Sequence, residues 1–423
     1  LDSVELKLSI AYEADFADIF EIRGAERSSW GEKIPPQNSS DLIKFSYNGV
    51  DDIFRTTTIN YSPVPNSIED TTTNYYIKLR PKEIQNFYIT TSCKSSTKST
   101  NNKKKIKPVK KISYEKVWEK SKKELELFAE SNCIISTSNE QFNNWLNRSY
   151  ADLHIMLTKT RHGIYPYGGV PWFSTIFGRD GIITALQTLW INPEIAKGVL
   201  SSLAALQAGE TDHANEAQPG KIIHEKRDSE MAMIGDVPFK AYYGSIDSTP
   251  LFIILAGSYL EHTGNIKYIK TIWPNIEKAL TWIDEYGDVD KDGFVEYSIH
   301  SSKGLINQGW KDSHDSVFHN NGDLAEGPIA LCEVQGYVYM AKLKGSSVAA
   351  ALGFSDKADK LISDALTLKS KFNEVYWLED LSTYALAIDG DKKPCRVVSS
   401  NPGHCLYTGI ADSKLAKRLI ETL

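Results

Sequence analysis

The sequence has few cysteines and no long apolar segment. Its 423 residues include five cysteines, which are widely spaced, form no Cys-x-x-Cys pair and have no histidines at zinc-binding spacing. A disulfide scaffold and a zinc site are therefore not predicted, and a reduced, cytoplasmic compartment fits this cysteine pattern best. The most apolar stretch, residues 251–257, is far shorter than the about 18 residues of a membrane-spanning helix, so no membrane association is predicted.

A basic excess is also absent. The formal net charge is −6, from 48 Lys and Arg against 54 Asp and Glu. The lysine-rich segment 92–113 contains Ser, Thr and Asn but no aromatic side chains on which bases would stack. We interpret it as a solvated linker and predict no nucleic-acid partner. The sequence indicates neither a cofactor nor an oligomeric state.

Residues 1–91 alternate polar and apolar positions in short runs, such as 4–10 and 74–79, between clusters of Asn, Gly, Pro and Ser. This period of two is typical of half-buried antiparallel strands. Several such strands at short spacing predict an N-terminal β-sandwich.

From residue 114 onward the apolar positions recur with the period of an α-helix. Short connections join neighbouring helices, whereas long loops rich in Gly and aromatic residues separate the helix pairs. Paired helices with long loops on one side predict an α/α toroid over residues 114–423, with a site at one end of a central funnel. The predicted helices are 114–130, 139–159, 180–189, 193–208, 250–262, 266–286, 326–352, 355–373 and 411–423.

The first loop of chemical interest, residues 165–180, combines aromatic residues with an adjacent Arg and Asp. Trp172 and Phe173 offer flat surfaces for the C–H face of a sugar ring, and Arg179 and Asp180 offer partners for its hydroxyls. The alternative is a buried aromatic turn in which Arg179 and Asp180 neutralise each other at a helix start. The residues of this loop do not decide between the two.

The second loop contains Lys221 and His224 and is followed by Tyr243 and Asp247, and all four are candidate substrate-binding residues. His224 precedes a Glu, but the zinc-binding HExxH pattern needs a second histidine where the chain has Asp228. Zinc is therefore not predicted. The tyrosine pair that ends at Tyr243 comes directly before a tight turn and is expected to have a partner for its rings.

The third stretch resembles the opening of a calcium loop, with Asp288, Asp290 and Asp292 at alternate positions. An EF-hand loop that began at Asp288 would need a bidentate Glu at its twelfth position, which holds Ile299. A turn rich in Asp and Gly is therefore the preferred interpretation, and calcium binding is the alternative.

The fourth stretch, residues 307–316, is dense in Trp, Gln, Asn and Asp. Hydrolysis of a glycosidic bond needs one carboxylic acid to protonate the leaving oxygen and a second carboxylate as base or nucleophile. Asp312 is the candidate acid, with Trp310 as an apolar neighbour and Gln308 and Lys311 to orient substrate hydroxyls. The alternative is a solvated acidic loop beside a helix start.

These loops together resemble the bacterial amylo-α-1,6-glucosidase or glycogen-debranching-like proteins. The order and spacing of several long motifs are similar to those of that family, which makes the resemblance specific. The N-terminal region also resembles the signature of the β-sandwich that precedes the catalytic domain there. The matching segments are Asp-Phe-Ala-Asp-Ile-Phe-Glu-Ile-Arg-Gly (15–24), Gly-Val-Pro-Trp-Phe (169–173), Phe-Gly-Arg-Asp (177–180), Pro-Gly-Lys-Ile-Ile-His-Glu (219–225), Tyr-Tyr-Gly-Ser-Ile-Asp (242–247), Asn-Gln-Gly-Trp-Lys-Asp-Ser (307–313) and Ser-Asn-Pro-Gly-His (400–404).

The resemblance implies an (α/α)6 toroid that hydrolyses α-glucosides with inversion. It matches Asp312 to the general acid and places the base far downstream, beyond Leu423. It also matches Arg179 and Asp180 to residues that hold the sugar at the non-reducing end. The other implied sugar contacts are Trp172, Tyr243 and Trp310 as subsite walls and Lys221, His224, Gln335 and His404 as weaker partners of hydroxyls.

Both ends of the predicted domains are expected to be missing. The chain has no initiator methionine, it stops inside a predicted helix, and nine helices are predicted where a closed toroid needs twelve. We therefore expect a longer native polypeptide. Glu326 and Glu333 follow the candidate acid, but both lie in a helical pattern and are interpreted as a helix-start charge and a packed helix residue.

The predicted function is hydrolysis of α-glucosidic bonds in an α-glucan or oligosaccharide. One alternative is another sugar enzyme on the same fold, such as an epimerase, phosphorylase or lyase, because the fold alone does not separate these activities. A second alternative is a carbohydrate-binding protein without activity. The motifs do not specify which linkage is cut.

Overall fold

A computed structural model describes residues 2–97 and 113–423 of the chain. The N-terminal part consists of antiparallel strands and the C-terminal part is mainly helical, as the change of period predicts. The elements up to residue 130 are β1 (Val4–Ala11), α1 (Ile19–Ile22), β2 (Glu32–Ser39), β3 (Leu42–Asn48), β4 (Ile53–Ser62), β5 (Ser67–Glu69), β6 (Thr72–Leu79), β7 (Tyr88–Thr97) and α2 (Tyr114–Glu130).

The strands form two antiparallel sheets, with the orders β1-β6-β5 and β2-β3-β4-β7. Alternate side chains of β3 and β4 supply a small apolar core of Ile43, Phe45, Ile59 and Tyr61. Strand β7 pairs with β4 as far as Thr97, so it continues into the segment predicted as a linker. Pairing with residues 53–58 of β4 holds residues 92–97 in this extended conformation, although they include only one threonine. Residues 98–112, which include the lysine run, lie outside the described residues.

The remaining elements are mostly helices, and the strands among them are two to four residues long. They are α3 (Glu140–Met156), β8 (Leu157–Thr160), β9 (Gly163–Pro166), β10 (Ile176–Phe177), α4 (Gly178–Thr188), α5 (Pro193–Ala205), β11 (Glu225–Lys226), α6 (Glu230–Ile234), α7 (Ser248–Thr263), α8 (Ile266–Glu285), β12 (Ala330–Leu331), α9 (Cys332–Ala351), α10 (Ser355–Val375), β13 (Trp377–Leu378), β14 (Thr383–Tyr384), β15 (Ala387–Ile388), α11 (Pro402–Thr408) and α12 (Ser413–Thr422).

The predicted helix over residues 326–352 is wrong at its start, because α9 begins only at Cys332. The ring of Pro328 disfavours a helical conformation of Gly327, so the helix begins after this point. Ala330 and Leu331 instead pair with β15. The short helices α6 and α11 were not predicted, since five and seven residues are too few to show a helical period.

Helices α7 and α9 form the centre of the helical part. Helix α7 packs on α4, α5, α8 and α9, and α9 also packs on α8, α10 and α11. Both helices are buried around most of their circumference, which explains why neither shows a one-sided apolar stripe. Their N-termini are therefore fixed points on which a site can be built.

The described chain divides into two compact units. Unit 1 is Leu1–Leu127 with Asp228–Val237, and unit 2 is Phe128–Arg227 with Pro238–Leu423. Within unit 1, Glu230 pairs with the buried Arg27 and accepts a hydrogen bond from the Tyr47 hydroxyl at 3.0 Å. No helix among the described residues is both long enough and apolar enough to cross a bilayer.

Candidate active site

The N-termini of four helices of unit 2 carry the polar residues of one cluster. Arg179 lies in the first turn of α4, Asp247 directly precedes α7, Glu333 lies in the first turn of α9, and Asn401 directly precedes α11. Helix N-termini carry partial positive charge, which favours carboxylates at these positions. Gly178 allows α4 to begin at this place, since a side chain there would collide with the Ile223 carbonyl.

Arg179 connects the cluster. Its Nη1 donates to Asp247 Oδ2 at 3.1 Å and to the Gly309 carbonyl at 3.0 Å, and its Nη2 lies 3.4 Å from Asp312 Oδ2. Burial alone would lower the pKa of Arg179, but the carboxylates of Asp247, Asp180 and Asp312 raise it. The guanidinium therefore stays charged and joins α4 to the turn that carries Asp312.

The three carboxylates around Arg179 differ in exposure. The Asp247 side chain is 1% exposed and accepts a hydrogen bond from Ser245 Oγ at 2.6 Å. The side chains of Asp180 and Asp312 are 41% and 43% exposed. Burial still raises the pKa of Asp180, because its Arg179 partner is 3.9 Å away. Asp247 is thus a counter-ion, whereas Asp180 and Asp312 are accessible to a ligand.

The two residues before Asp312, Trp310 and Lys311, contact residues of α11 and the position that precedes it. Trp310 is exposed and lies 5.6 Å from the His404 ring between centroids. His404 Nδ1 is 2.8 Å from the Tyr337 hydroxyl, and burial together with the nearby Lys311 lowers the pKa of His404. Lys311 Nζ donates to Asn401 Oδ1 at 2.7 Å. The segment that carries Asp312 therefore packs on α11 through the predicted residues Trp310, Lys311 and His404.

Glu333 belongs to the same cluster, although it was interpreted as a packed helix residue. It is 1% exposed, and its Oε1 has no hydrogen-bond partner among the described residues. This oxygen lies close to Gly309, because a side chain at that position would place its Cβ atom 3.7 Å from Glu333 Oε1. Burial raises the pKa of Glu333 to about 7. Glu326, the other carboxylate in that predicted helix, is exposed.

Trp172 and Phe173 lie on the loop before α4. The guanidinium of Arg227 stacks on the half-buried Trp172 ring at 4.4 Å and donates to the Trp172 carbonyl at 2.8 Å. Arg227 also pairs with the buried Glu225 at 2.8 Å. Burial raises the pKa of Glu225 despite this pair, and the charges of Asp312 and Asp180 raise it further. Phe173 is exposed and can contact a ligand.

Lys221 and Gln308 lie in a separate cavity beside Trp282. Lys221 Nζ donates to the Glu216 carbonyl at 3.2 Å, and burial lowers the pKa of Lys221 to about 8. Both polar atoms of the Gln308 amide lack a hydrogen-bond partner among the described residues. The interior of this cavity, about 20 Å³, has room for only about one or two water molecules. A sugar ring does not fit there.

The other three predicted hydroxyl partners or walls are occupied or enclosed by the protein. Gln335 donates to the Val295 and Leu331 carbonyls and accepts from the Val295 N–H. Tyr243 donates to the Leu206 carbonyl at 2.8 Å. His224 is buried, and burial lowers its pKa to about 3, so the ring is neutral.

Asp288, Asp290 and Asp292 form an acidic cluster whose oxygens lie within 4.8 Å of one another. The ammonium group of Lys392 contacts Asp290 and lies 2.7 Å from Asp292. It also lies 3.3 Å from the buried Glu296. A lysine thus supplies positive charge at the place where the calcium alternative would put an ion.

Two further cluster residues, Tyr337 and Asn401, were given no role by the sequence, although Asn401 lies in the matching segment 400–404. Glu333 and Tyr337 are four residues apart, so they lie on one face of α9. A carboxylate and a tyrosine at that spacing in the first turns of a buried helix are the signal that could have placed both in the site. Asn401 gave no such signal, because its partner Lys311 is 90 residues away.

Comparisons with known proteins give one family match. Residues 1–90 match the family described as the N-terminal domain of (some) glycogen debranching enzymes. This match agrees with the resemblance noted for residues 15–24. No curated protein matches the sequence of this chain.

Among solved structures, the chain is similar to a GH78 family rhamnosidase of Bacillus sp. GL1. The TM-score is 0.53 at 15% sequence identity, and the match covers 92% of this chain. It covers 38% of the rhamnosidase chain, so the sequence spans less than half of that protein. The likeness concerns the fold.

Proposed function

We propose that this protein is a glycoside hydrolase that cleaves α-glucosidic bonds with inversion, with Asp312 as the general acid. Its substrate would be a branched α-glucan or oligosaccharide. The architecture that we propose is an N-terminal β-sandwich that includes all of β7, a linker that ends at residue 113 and the helical hairpins of an (α/α)6 toroid over 114–423. The GH78 family rhamnosidase and the debranching-enzyme domain match both support a protein of the glycoside hydrolase type.

The observation that carries this proposal is the contact of Arg179 with both Asp247 and Asp312. A general acid must be accessible to the substrate and held in a fixed place. Asp312 is accessible, and the buried Asp247–Arg179 pair supplies a fixed neighbour for it. The exposed Trp310 ring beside Asp312 offers the flat apolar surface that a sugar ring needs.

In the proposed reaction, Asp312 transfers its proton to the glycosidic oxygen as the bond to the anomeric carbon breaks. A second carboxylate deprotonates water, which attacks the opposite face of the sugar. Asp180 accepts hydrogen bonds from substrate hydroxyls, and Phe173 and Trp172 form an aromatic wall on the loop before α4. Glu333 and Asp247 are buried and do not touch the sugar.

The test is release of glucose from an α-1,6-branched oligosaccharide, followed by NMR of the product anomer. We expect the β-anomer to appear first, and we expect Asp312→Asn to lower kcat by about 100-fold to 10,000-fold. Asp315→Asn, an exposed carboxylate in the same segment, is the matched control. Near-normal activity of Asp312→Asn would overturn the assignment.

The alternative classes give different results in the same assay. Retention of the α-anomer, or a product other than free glucose, would favour another sugar enzyme on this fold. A binding isotherm for the oligosaccharide without turnover would favour a carbohydrate-binding protein.

A further inference from the structure

The Asp312 carboxylate has weak side-chain contacts, so its position depends on the backbone turn that carries it. Its contact with Arg179 Nη2 is long, at 3.4 Å, and its side chain is 43% exposed. The side chain of Asn307 closes this turn with two hydrogen bonds. The Asn307 Nδ2 donates to the Ser313 carbonyl at 2.7 Å and to the His314 carbonyl at 3.2 Å. These bonds tie the residue before the turn to the two residues that follow Asp312.

The Asn307 side chain is itself fixed. It is 3% exposed, and its Oδ1 accepts a hydrogen bond from the Tyr297 hydroxyl at 2.7 Å. Tyr297 is buried and exchanges two backbone hydrogen bonds with Ile329, at 3.1 Å and 2.9 Å. Both N–H groups and the oxygen of the amide are therefore used. Rotation of the amide would leave buried polar groups unpaired, which is costly.

Other contacts hold parts of the same turn without closing it. Arg179 Nη1 donates a hydrogen bond to the Gly309 carbonyl at 3.0 Å. Ser316 Oγ donates to the Lys311 carbonyl at 2.6 Å. Asn307 differs from these because its bonds span residues 308–312 and meet the chain on the far side of Asp312. The separation between the two ends of the turn therefore depends on this amide.

We propose that Asn307, oriented by Tyr297, is a positioning residue that sets the place of the Asp312 carboxylate. This inference rests on the proposed function of Asp312. A displacement of about 1 Å in a catalytic group can lower the rate by about 100-fold, so a change in the turn has a measurable effect on turnover. Substrate binding by residues on α4 and α11 does not depend on this amide.

The test is Asn307→Asp in the full chain, with kinetics on the branched oligosaccharide and hydrogen–deuterium exchange of residues 308–316. The substitution keeps the size of the side chain but places oxygen atoms against the Ser313 and His314 carbonyls. We expect kcat to fall by about 100-fold with KM unchanged, together with faster exchange in the turn. Tyr297→Phe removes the bond to Asn307 Oδ1 and should cause a smaller change in the same direction. Asn320→Asp, the same chemical change at an exposed position nearby, is the control.

The outcomes separate this inference from the proposed function. Unchanged kcat and unchanged exchange in Asn307→Asp, while Asp312→Asn loses activity, would overturn the positioning role alone. If Asp312→Asn keeps its activity, the proposed function fails instead, and exchange in the turn still reports whether Asn307 closes it. If Asn307→Asp does not fold, Tyr297→Phe must show both effects, and its failure to do so would overturn the inference.

Discussion

At the scale of single residues, the cluster contains two buried carboxyl groups with different surroundings. Asp247 has Arg179 and Ser245 as close partners. Glu333 has one oxygen without a hydrogen-bond partner among the described residues, and burial raises its pKa. A buried carboxyl without a cation binds its proton more tightly than it would in water. Glu333 is therefore a group whose protonation affects folding.

We predict that Glu333 makes the protein less stable as the pH rises toward neutrality. Its folded-state pKa of about 7 lies above the ordinary value of 4.5. A raised pKa contributes stability that is complete below the unfolded pKa and is lost as the pH rises through the folded pKa. Each unit of difference corresponds to about 1.4 kcal/mol, so the loss is on the order of 3 kcal/mol between about pH 4.5 and pH 7.

Denaturant unfolding of Glu333→Gln at several pH values checks this prediction. The free energy of unfolding of the glutamine variant should not show the decrease that Glu333 causes between about pH 4.5 and pH 7. Glu326→Gln, the same change at an exposed position of the segment before α9, should keep the wild-type profile. Parallel pH profiles for all three proteins would contradict the role given to Glu333.

At the scale of elements, the long helices could be predicted well because each of them repeats the 3.6-residue period several times. The predicted and observed bounds of α2 coincide, and Asn192 caps α5 with its side chain as the Asn-Pro sequence leads one to expect. The start of α9 and the short helix α11 could not be predicted in the same way. The start of α9 depends on the tertiary pairing of Ala330 and Leu331 with β15. Helix α11 has only seven residues, which are too few to show a helical period.

The loop between α8 and β12 leads to a prediction about calcium. Since the Lys392 ammonium lies among Asp290, Asp292 and Glu296, calcium should not change the melting temperature of the protein. Differential scanning calorimetry with and without calcium tests this, with Asp290→Ala as the control. A rise in melting temperature that Asp290→Ala abolishes would instead support the calcium alternative.

At the scale of the whole molecule, the residues of the site could be predicted from the sequence, but the contacts among them could not. Arg179, Asp247 and Asp312 were each selected from local patterns. Their contacts join positions 68 and 133 residues apart, and no pattern within one loop contains that information. For the same reason Lys221 and Gln308 were placed with the sugar contacts, although they line another cavity. The assignment of residues 228–237 to unit 1 also depends on contacts remote in sequence.

That assignment predicts a stability effect inside unit 1. Glu230→Gln removes one of the two carboxylates that pair with the buried Arg27 and leaves only Glu21, whose side chain is 31% exposed, as its counter-charge. We expect a loss of about 1.5–3 kcal/mol, seen as faster hydrogen–deuterium exchange in β3. Glu5→Gln breaks the exposed pair with Lys78 and should cost less than about 1 kcal/mol. Equal effects of Glu230→Gln and Glu5→Gln would argue against a structural role of residues 228–237 in unit 1.

The most direct test of the central claim compares two leaving groups in the Asp312→Asn variant. A sugar leaving group needs a proton from the general acid, whereas fluoride leaves without one. The account predicts that Asp312→Asn loses hydrolysis of the α-1,6-branched oligosaccharide but keeps hydrolysis of α-glucosyl fluoride near the rate of the unmodified protein. Equal losses on both substrates, or no loss on either, would contradict the assignment of Asp312 as the general acid.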